Sequence, residues 1–469
     1  MADPRPLVLD VDETFLKTDL LHESLCAGIG RAPGATLRSL ARHWRRPDRL
    51  KAELAESVPL RVDLMPTRRG LAARARTAQS EGREVILASA SDRRHVEALA
   101  AHHGFDGAMG SERGANLKGA AKARALVDRF GVGGFDYAGD STADRAVWAK
   151  AGRALTVGAD PRTDGPIERL PAERRAKDIV RALRPKSWVK NILLFLPAVA
   201  AHAFDWATFG LALLGIVAFS LAASSIYIVN DLLDLEADRL HPTKRNRPFA
   251  SGAVSIRTGL VLFVAALGAA LAVSAALGAA FTGVIVVYVA LSLGYSLRLK
   301  RMRWVDLFCL AALYTLRVVA GAAATGVPAT TAMLVFVFPV FFTLGCVKRL
   351  TELARASSPE RLPGRGYGAA DKPDLLNLAG MGVVAALAIF AIYTMSPQAE
   401  ALYPSRWLLW AALPVMALWL MRMVALGARG RMDYDPIVFA LQDRRGIGLL
   451  LITLSLIFWA AGLWSEWFG

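Results

Sequence analysis

Cysteine is scarce in this chain of 469 residues: there are three, Cys26, Cys309 and Cys346. They lack metal-ligand spacing and two fall inside apolar stretches, so they read as small buried hydrophobes rather than a thiolate metal site. The N-terminus, MADPRPLVLDVDET, has no basic segment followed by an apolar one and does not read as a signal peptide. Whatever it begins is expected to stay on the cytoplasmic side. Residues 1–187 also lack any apolar run long enough to cross a bilayer. From about Asn191 such runs repeat, so the overall hydrophobic share of 54% averages a soluble domain and a membrane domain. The expected division is a soluble domain over 1–160, a linker with an interfacial helix over 161–184, and a membrane domain over 185–469.

Acidic residues are outnumbered, 40 against 56 Lys and Arg, for a formal net charge of +16. A basic balance often marks nucleic-acid binding. Here the cations lie largely in loops beside apolar spans, the placement that orients membrane helices. The expected partners are therefore the bilayer, anionic headgroups and phosphorylated substrates, with no nucleic acid.

Within the first 160 residues, β-rich runs at 6–9, 84–87 and 154–157 alternate with helical stretches such as 93–103 and 117–130, an α/β pattern. Residues 20–62 are helical in pattern and read as an insertion after the first strand. The membrane part divides into about nine apolar segments: 192–204, 207–229, 256–277, 280–295, 305–324, 332–347, 375–395, 406–424 and 447–464. Basic residues crowd alternate loops, for example Arg239, Lys244, Arg245 and Arg247 in one, and Lys348, Arg349, Arg355, Arg361 and Arg365 in another. The intervening loops carry almost none. All basic loops are thus expected on the cytoplasmic side with the N-terminal domain, and an odd number of spans puts the C-terminus outside.

Four stretches carry chemistry in the soluble part. Leu7-Val-Leu-Asp10-Val-Asp12-Glu-Thr14 is an apolar strand ending in two carboxylates, which can ligate a hard cation, attack phosphorus and handle protons. Ser89 ends a second strand, Lys118 offers a cation, and Asp140 and Asp144 follow another strand. Four such elements in this order resemble the haloacid-dehalogenase-like (HAD) phosphatases over about 5–158. The resemblance implies Asp10 as nucleophile, Asp12 as general acid/base, Ser89 and Lys118 as phosphoryl binders, and Asp140 and Asp144 with Asp10 and Asp12 at a Mg²⁺ site. It also implies that the helical insertion is a small cap. Glu13 stands where many members have Gly, which keeps open an inactive HAD module.

In the membrane part, Asn230-Asp231-Leu-Leu-Asp234-Leu-Glu-Ala-Asp238 follows an apolar span directly, with Lys244, Arg245 and Arg247 close behind. Asn230, Asp234 and Asp238 are four apart and line one helical face. Carboxylates so crowded call for cations between them, and Mg²⁺ with a phosphate ligand fits. A second cluster comprises Tyr295, Arg298, Lys300 and Asp306, with Arg317 inside the next span, where a charge needs a polar cavity or partner. Before the first span, Arg184-Pro-Lys186-Ser-Trp188-Val-Lys190-Asn191 reads either as a snorkelling anchor or as a ligand contact.

These segments resemble the UbiA superfamily of intramembrane prenyltransferases over about 181–468. The wording RPKSWVKN, NDLLDLEADRLHPTKRNRPFASG and YSLRLK looks particularly like the decaprenyl-phosphate phosphoribosyltransferase subgroup. The resemblance implies a polytopic helical bundle in a bacterial-type inner membrane. Asn230, Asp231, Asp234, Asp238 and Asp306 would hold Mg²⁺–pyrophosphate, with Asp234 and Asp238 catalytic. It further implies transfer of 5-phosphoribosyl to a polyprenyl phosphate, with Lys190, Asn191, Lys244, Arg245, Arg247, Tyr295, Arg298, Lys300 and Arg317 contacting substrate. The HAD domain would then remove the 5-phosphate. An aromatic-acceptor polyprenyltransferase remains the rival, and a non-enzymatic lipid or ion transporter the reading from another class.

Overall fold

Three short hydrophobic residues, Leu7–Leu9, sit at the centre of the N-terminal architecture as strand β1, and all three are buried. The computed structural model describes residues 5–171, 175–356, 365–432 and 435–468. Arg361 and the first part of the expected interfacial helix (172–174) fall outside the described residues.

β1 pairs in parallel with β2 (Val85–Asp92) on one side and β4 (Asp136–Gly139) on the other. β3 (Gly107–Ser111), β5 (Arg153–Val157) and β6 (Ile167–Leu170) complete a six-stranded parallel sheet in the order β3-β2-β1-β4-β5-β6. Helices α1 (Leu20–Arg31), α2 (Pro33–His43), α3 (Pro47–Ser57) and α4 (Arg69–Ser80) lie between β1 and β2 in the chain. α5 (Arg93–His103), α6 (Ala120–Phe130) and α7 (Arg145–Trp148) connect the following strands, and α8 (Ala176–Ala182) follows the sheet.

Side chains alternate along β1 as a pleated strand requires. Leu7 and Leu9 pack with Leu71 and Ala75 of α4 and Val96 and Leu99 of α5. Val8 packs on the other face with Ala123 and Leu126 of α6 and Trp148 of α7. Covering both faces is what a parallel sheet demands, and each fully buried Leu contributes roughly 2 kcal/mol. Strand order reverses at β1, so a crevice forms beyond the carboxyl ends of β1 and β4, where such sheets bind ligands.

The remainder is helical. After a 3₁₀ run over Pro185–Phe195 come α9 (Leu196–Ala200), α10 (Trp206–Leu233), α11 (Leu235–Leu240), α12 (Ile256–Leu277) and α13 (Ala279–Leu297). They are followed by α14 (Val305–Thr325), α15 (Thr331–Ala354), α16 (Lys372–Thr394), α17 (Pro397–Leu402), α18 (Trp407–Ala428), α19 (Pro436–Ala440), α20 (Arg444–Ala460) and α21 (Leu463–Phe468). Among the described residues, seven helices are long and apolar enough to cross a membrane: α10, α12, α13, α14, α15, the segment Ala369–Thr394, and α18.

The other two of the nine expected segments fold differently. The stretch 192–204 divides into 3₁₀ turns and the five-residue α9, where Pro197 sits in the first turn and has no N–H to continue an upstream helix. The stretch 447–464 falls largely in α20, whose 17 residues span about 26 Å, short of the ~30 Å of a bilayer core.

By internal contacts the chain forms two units, 1–184 with 227–264, and 185–226 with 265–469. In the first, the end of α10, α11 and the start of α12 bury Ile228, Leu232, Leu235, Phe249 and Ile256 together with Cys26 of α1 and Ala182 of α8. In the second, α14, α15, α18 and α19 share a core built on Val318, Phe341, Leu344, Met423 and Ile437. Small residues set its close helix contacts: a Cβ on Gly382 would meet Thr343 Oγ1 at 2.3 Å, and one on Gly427 would meet Val347 Cγ1 at 2.8 Å. Leu213, Val217, Val261, Val286, Val287, Phe308 and Val384 are exposed on these helices, as lipid-facing positions would be.

Candidate functional site

The carboxyl ends of β1 and β4 gather the acidic residues of the N-terminal domain. Asp10 directly follows β1 and is buried; Asp140 and Asp144 follow β4. One oxygen from each of the three lies within 4.8 Å of the others. Thr14 Oγ1 reaches Asp10 Oδ2 at 3.0 Å and Asp140 Oδ1 at 3.1 Å. Ser141 donates its amide and hydroxyl to Asp144 Oδ2 at 3.1 and 2.8 Å. Gly139 makes room for that turn, since a Cβ there would sit 2.8 Å from the Asp144 carboxyl carbon.

The cation at this cluster is Lys122 of α6. Its Nζ donates to Asp10 Oδ1 at 2.6 Å and lies 3.7 Å from Asp144 Oδ1. It also donates to Tyr137 Oη at 2.9 Å, and Tyr137 passes its own proton to Asp144 Oδ1 at 2.8 Å. Lys118, the lysine expected to hold phosphate, is exposed, four residues earlier. Sequence reasoning missed Lys122 because its position inside a helical run resembles that of any solvated lysine. The spacing of one helical turn from Lys118 was the available signal.

Asp12 has a different environment. Its Oδ2 accepts from Ser89 and Ser91 Oγ, each at 2.7 Å, and its Oδ1 from the amide of Leu20 at 2.7 Å. Ser89 is therefore found beside Asp12, with Ser91 an addition that the sequence reading lacked. Burial pushes the Asp10 carboxyl up to about 7 against the pull of Lys122. Burial, then the charge of Asp144, pushes Asp140 to about 6. Asp12 is raised by burial and by Asp19. Burial works to lower Lys122, but Asp10 and Asp144 outweigh it and hold the ammonium above its ordinary value. The oxygen donors of Asp10, Asp140 and Asp144, gathered within 4.8 Å of one another, fit a hard divalent cation such as Mg²⁺.

Glu13 adopts φ 56°, the left-handed region where Gly is at ease and other residues are strained. Arg68 steadies the turn by donating Nη2 to the Glu13 carbonyl at 2.9 Å.

Helix α10 ends at Leu233 and α11 begins at Leu235, with Asp234 at the junction. Hydrogen bonds from Asp234 N to Asn230 O (3.0 Å) and from Asp238 N to Asp234 O (2.8 Å) carry the helical repeat across. The three oxygen-bearing side chains therefore stay on successive turns of one face. Asp238 is buried and takes Arg247 Nη1 at 2.6 Å. The same Nη1 lies 3.1 Å from Asp231, which Arg184 also grips through two nitrogens. Lys244 is half-buried and Arg245 exposed in the following turn. Oxygen donors on successive turns suit Mg²⁺, and Arg247 supplies positive charge where the carboxylates crowd.

In the second unit, Asp306 is fully buried and forked by Arg349, with Nε at 2.6 Å and Nη2 at 2.8 Å. Tyr295 donates to Asp306 Oδ1 at 2.9 Å and accepts from Arg349 at 2.8 Å, while Glu352 takes the guanidinium's remaining edge at 2.5 Å. Arg349 and Glu352 were read from sequence as part of a basic loop or not singled out at all. The expected metal ligands Asp231 and Asp306 thus both have guanidinium partners here. Arg317 donates Nε to Asn191 Oδ1 at 3.0 Å and lies 5.1–5.3 Å over the rings of Phe219, Tyr288 and Tyr314. Asn191 in turn donates to Ser220 at 2.8 Å, and Lys190 pairs with Asp435. Lys300 is buried and Arg298 exposed.

Comparison with known proteins adds the following. An uncharacterized protein of Sinorhizobium fredii is 35% identical over 470 residues, covering 96% of this chain and 90% of that protein. A decaprenyl-phosphate phosphoribosyltransferase of Corynebacterium glutamicum is 41% identical over 165 residues, covering 34% of this chain and 50% of its own length. Among solved structures, a UbiA homolog of Archaeoglobus fulgidus bound to GPP and Mg²⁺ is 18% identical, covering 60% of this chain and 99% of that one, at a TM-score of 0.45. The N-terminal α/β region resembles a HAD family hydrolase of Salmonella enterica at 17% identity and a TM-score of 0.27, covering 36% of this chain and 68% of that one. The model of the UbiA prenyltransferase family matches residues 192–439. That match takes in more than half of the chain: the chain belongs to the UbiA prenyltransferase family.

Proposed function

We propose that the membrane domain transfers a 5-phosphoribosyl group from phosphoribosyl pyrophosphate to a polyprenyl phosphate, releasing pyrophosphate, and that the N-terminal domain then removes the 5-phosphate. The observation that carries the transfer is the row Asn230, Asp234 and Asp238 on one helical face beside Arg247, in a chain 41% identical over 165 residues to a decaprenyl-phosphate phosphoribosyltransferase. When bound, Mg²⁺ supplies charge neutralisation at the departing pyrophosphate. Asn230, Asp234 and Asp238 would hold that ion, and Lys244, Arg245 and Arg247 take up phosphate charge of the diphosphate. Arg298 and Lys300 suit a substrate with a separate 5-phosphate. Arg317, fixed by Asn191 and three aromatic rings, offers a cation to the lipid phosphate, with Lys190 in the same role. Asp231 holds Arg184, and Asp306 separately holds Arg349.

In the N-terminal domain, Asp10 attacks the phosphorus of a phosphomonoester to give an aspartyl phosphate, and the ribose oxygen leaves. Asp12 protonates that oxygen. Water then attacks the aspartyl phosphate and gives its proton to Asp12, so phosphate is released and the Asp10 carboxylate restored. Lys122 neutralises charge at the reacting group, and Asp10, Asp140 and Asp144 accommodate Mg²⁺. The concentration of basic residues in alternate loops supports a cytoplasmic side for those loops.

The test is incubation of the purified protein with labelled phosphoribosyl pyrophosphate, polyprenyl phosphate and Mg²⁺. Mg²⁺-dependent appearance of label in lipid, with loss of the 5-phosphate, is the expected result. Prenyl transfer to 4-hydroxybenzoate without phosphoribosyl transfer would replace this reading with the aromatic-acceptor one.

A further inference from the structure

Helix α1 belongs by sequence to the insertion of the N-terminal domain, yet one of its faces meets the acidic row of the membrane domain. Residues Glu23, Cys26 and Gly30 follow the three-four spacing of a single helical stripe, with Arg31 adjoining it. Glu23 is buried; it accepts from Thr18 Oγ1 at 2.6 Å and from two nitrogens of Arg239, at 2.5 and 3.1 Å. Arg239 sits next to Asp238 on α11 and also donates to the Ala250 carbonyl at 3.2 Å. Cys26 packs with Leu232 and Leu235, which flank Asp234, and a Cβ on Gly30 would lie 3.4 Å from the Leu233 carbonyl. Arg31 pairs with Glu236.

A separate contact falls at the base of the insertion. Leu16 bridges Thr67 and Lys17 N donates to Pro66 O at 2.8 Å, so the entering and leaving strands of the insertion are tied together. Gly252, just beyond the basic run, has φ +69° and lies against this base: a Cβ there would meet Lys17 Cβ at 2.4 Å. At the N-terminal end of α1, its first amide, Leu20 N, donates to Asp12 Oδ1 at 2.7 Å.

We infer that Glu23, a residue of the N-terminal domain, is a positioning residue for the metal–diphosphate segment of the transferase, acting through Arg239 to hold α11 and with it Asp234 and Asp238. The inference rests on the proposed role of that acidic row. A buried carboxylate–guanidinium pair restrains both partners strongly, because removing one leaves the other charged and uncompensated. The pair stands apart from the proposed ligands Asn230, Asp234 and Asp238 in its contacts, which run to Thr18 and the Ala250 carbonyl. It fixes the helix that carries the ligands.

The experiment uses the full-length protein in lipid nanodiscs with Mg²⁺, phosphoribosyl pyrophosphate and polyprenyl phosphate. Glu23→Gln should speed amide hydrogen exchange over 235–240 in metal-free protein. It should also raise the Mg²⁺ concentration for half-maximal transfer about tenfold, the scale seen when a partner that orients metal ligands is lost. The limiting rate at saturating Mg²⁺ should stay near wild type, which a general loss of structure would not allow. The reciprocal exchange Glu23→Arg with Arg239→Glu should bring both readouts back toward wild type. If Glu23→Gln fails to fold, Glu23→Asp carries the same two measurements. Unchanged exchange and an unchanged Mg²⁺ requirement would overturn the inference. Wild-type transfer by Asp234→Asn would instead overturn the reading of the acidic row, and the exchange measurement alone would then decide whether Glu23 holds α11.

Discussion

Lys122 shows how much a single buried charge decides in the N-terminal domain. Its ammonium contacts Asp10 directly and stands near Asp144, so the proposed nucleophile and a proposed metal ligand share one cation. Lys122→Met should reduce phosphomonoester hydrolysis on the order of a hundredfold or more, as expected when a fixed donor at the reacting charge is removed. Lys118→Met, at an exposed position, should reduce it far less; p-nitrophenyl phosphate turnover by the two variants makes the comparison. His95 is a second residue whose burial has a measurable consequence. Burial lowers its pKa, Asp92 partly opposes this, and its Nε2 has no hydrogen-bond partner among the described residues. Below about pH 6.5 the unfolded chain takes up a proton that the folded ring still refuses, so stability falls as pH falls through that window. His95→Phe should flatten this part of the stability profile, seen as a smaller change in urea midpoint between pH 7 and pH 5.5. An equal slope in both proteins would show that His95 is not the group responsible.

The junction of α10 and α11 is the element on which the proposed transfer depends. The helix is interrupted at Asp234, yet backbone bonds from Asp234 and Asp238 to residues four earlier keep the repeat. The acidic row survives the break. Asp234→Ala or Asp238→Ala should each cost on the order of a thousandfold in transfer rate, because ligands of a catalytic metal supply several kcal/mol of transition-state stabilisation. Steady-state transfer in detergent checks this, and near-normal turnover by either variant would rule the row out as the metal site. The second unit offers a contrast at the same scale. Arg349 on α15 reaches Asp306 and Tyr295, contributed by α14 and α13, so three helices meet in one buried polar network. A guanidinium at this depth is tolerated because every edge is matched by Asp306, Tyr295 or Glu352.

For the molecule as a whole, the two proposed chemistries on one chain would have a natural order. Transfer of phosphoribosyl leaves a product with a terminal phosphomonoester, and hydrolysis of that group removes a reactant of the reverse transfer. A tethered phosphatase also works at raised local concentration. Asp10→Asn in the full-length protein should therefore keep the transfer and accumulate the 5-phosphorylated lipid, detectable by thin-layer chromatography of labelled product. Identical lipid products from wild type and Asp10→Asn in Mg²⁺ would show that the N-terminal domain acts on another substrate or none.

Much of this was readable before any coordinates. The strand before Asp10, the helix over 93–103, the helical insertion and the apolar spans all follow from local pattern, because periodicity and hydrophobic run length are properties of neighbouring residues. The spacing of Asn230, Asp234 and Asp238 likewise placed them on one face, and the helical repeat held even where the helix broke. Charge in the loops pointed to phosphates and membrane for the same local reason. What only tertiary structure decided involves partners far apart in sequence. Lys122 rather than Lys118 reaches Asp10 because α6 turns that residue inward beneath β1 and β4. The short first and last apolar stretches depend on Pro197 and on where α20 ends, not on hydropathy alone. Glu23 meets Arg239 across 216 residues, and Arg349 meets Asp306 across 43. No window of sequence contains both members of such a pair; each lone charge reads as solvated until the fold removes water from around it and leaves the opposite charge as its partner.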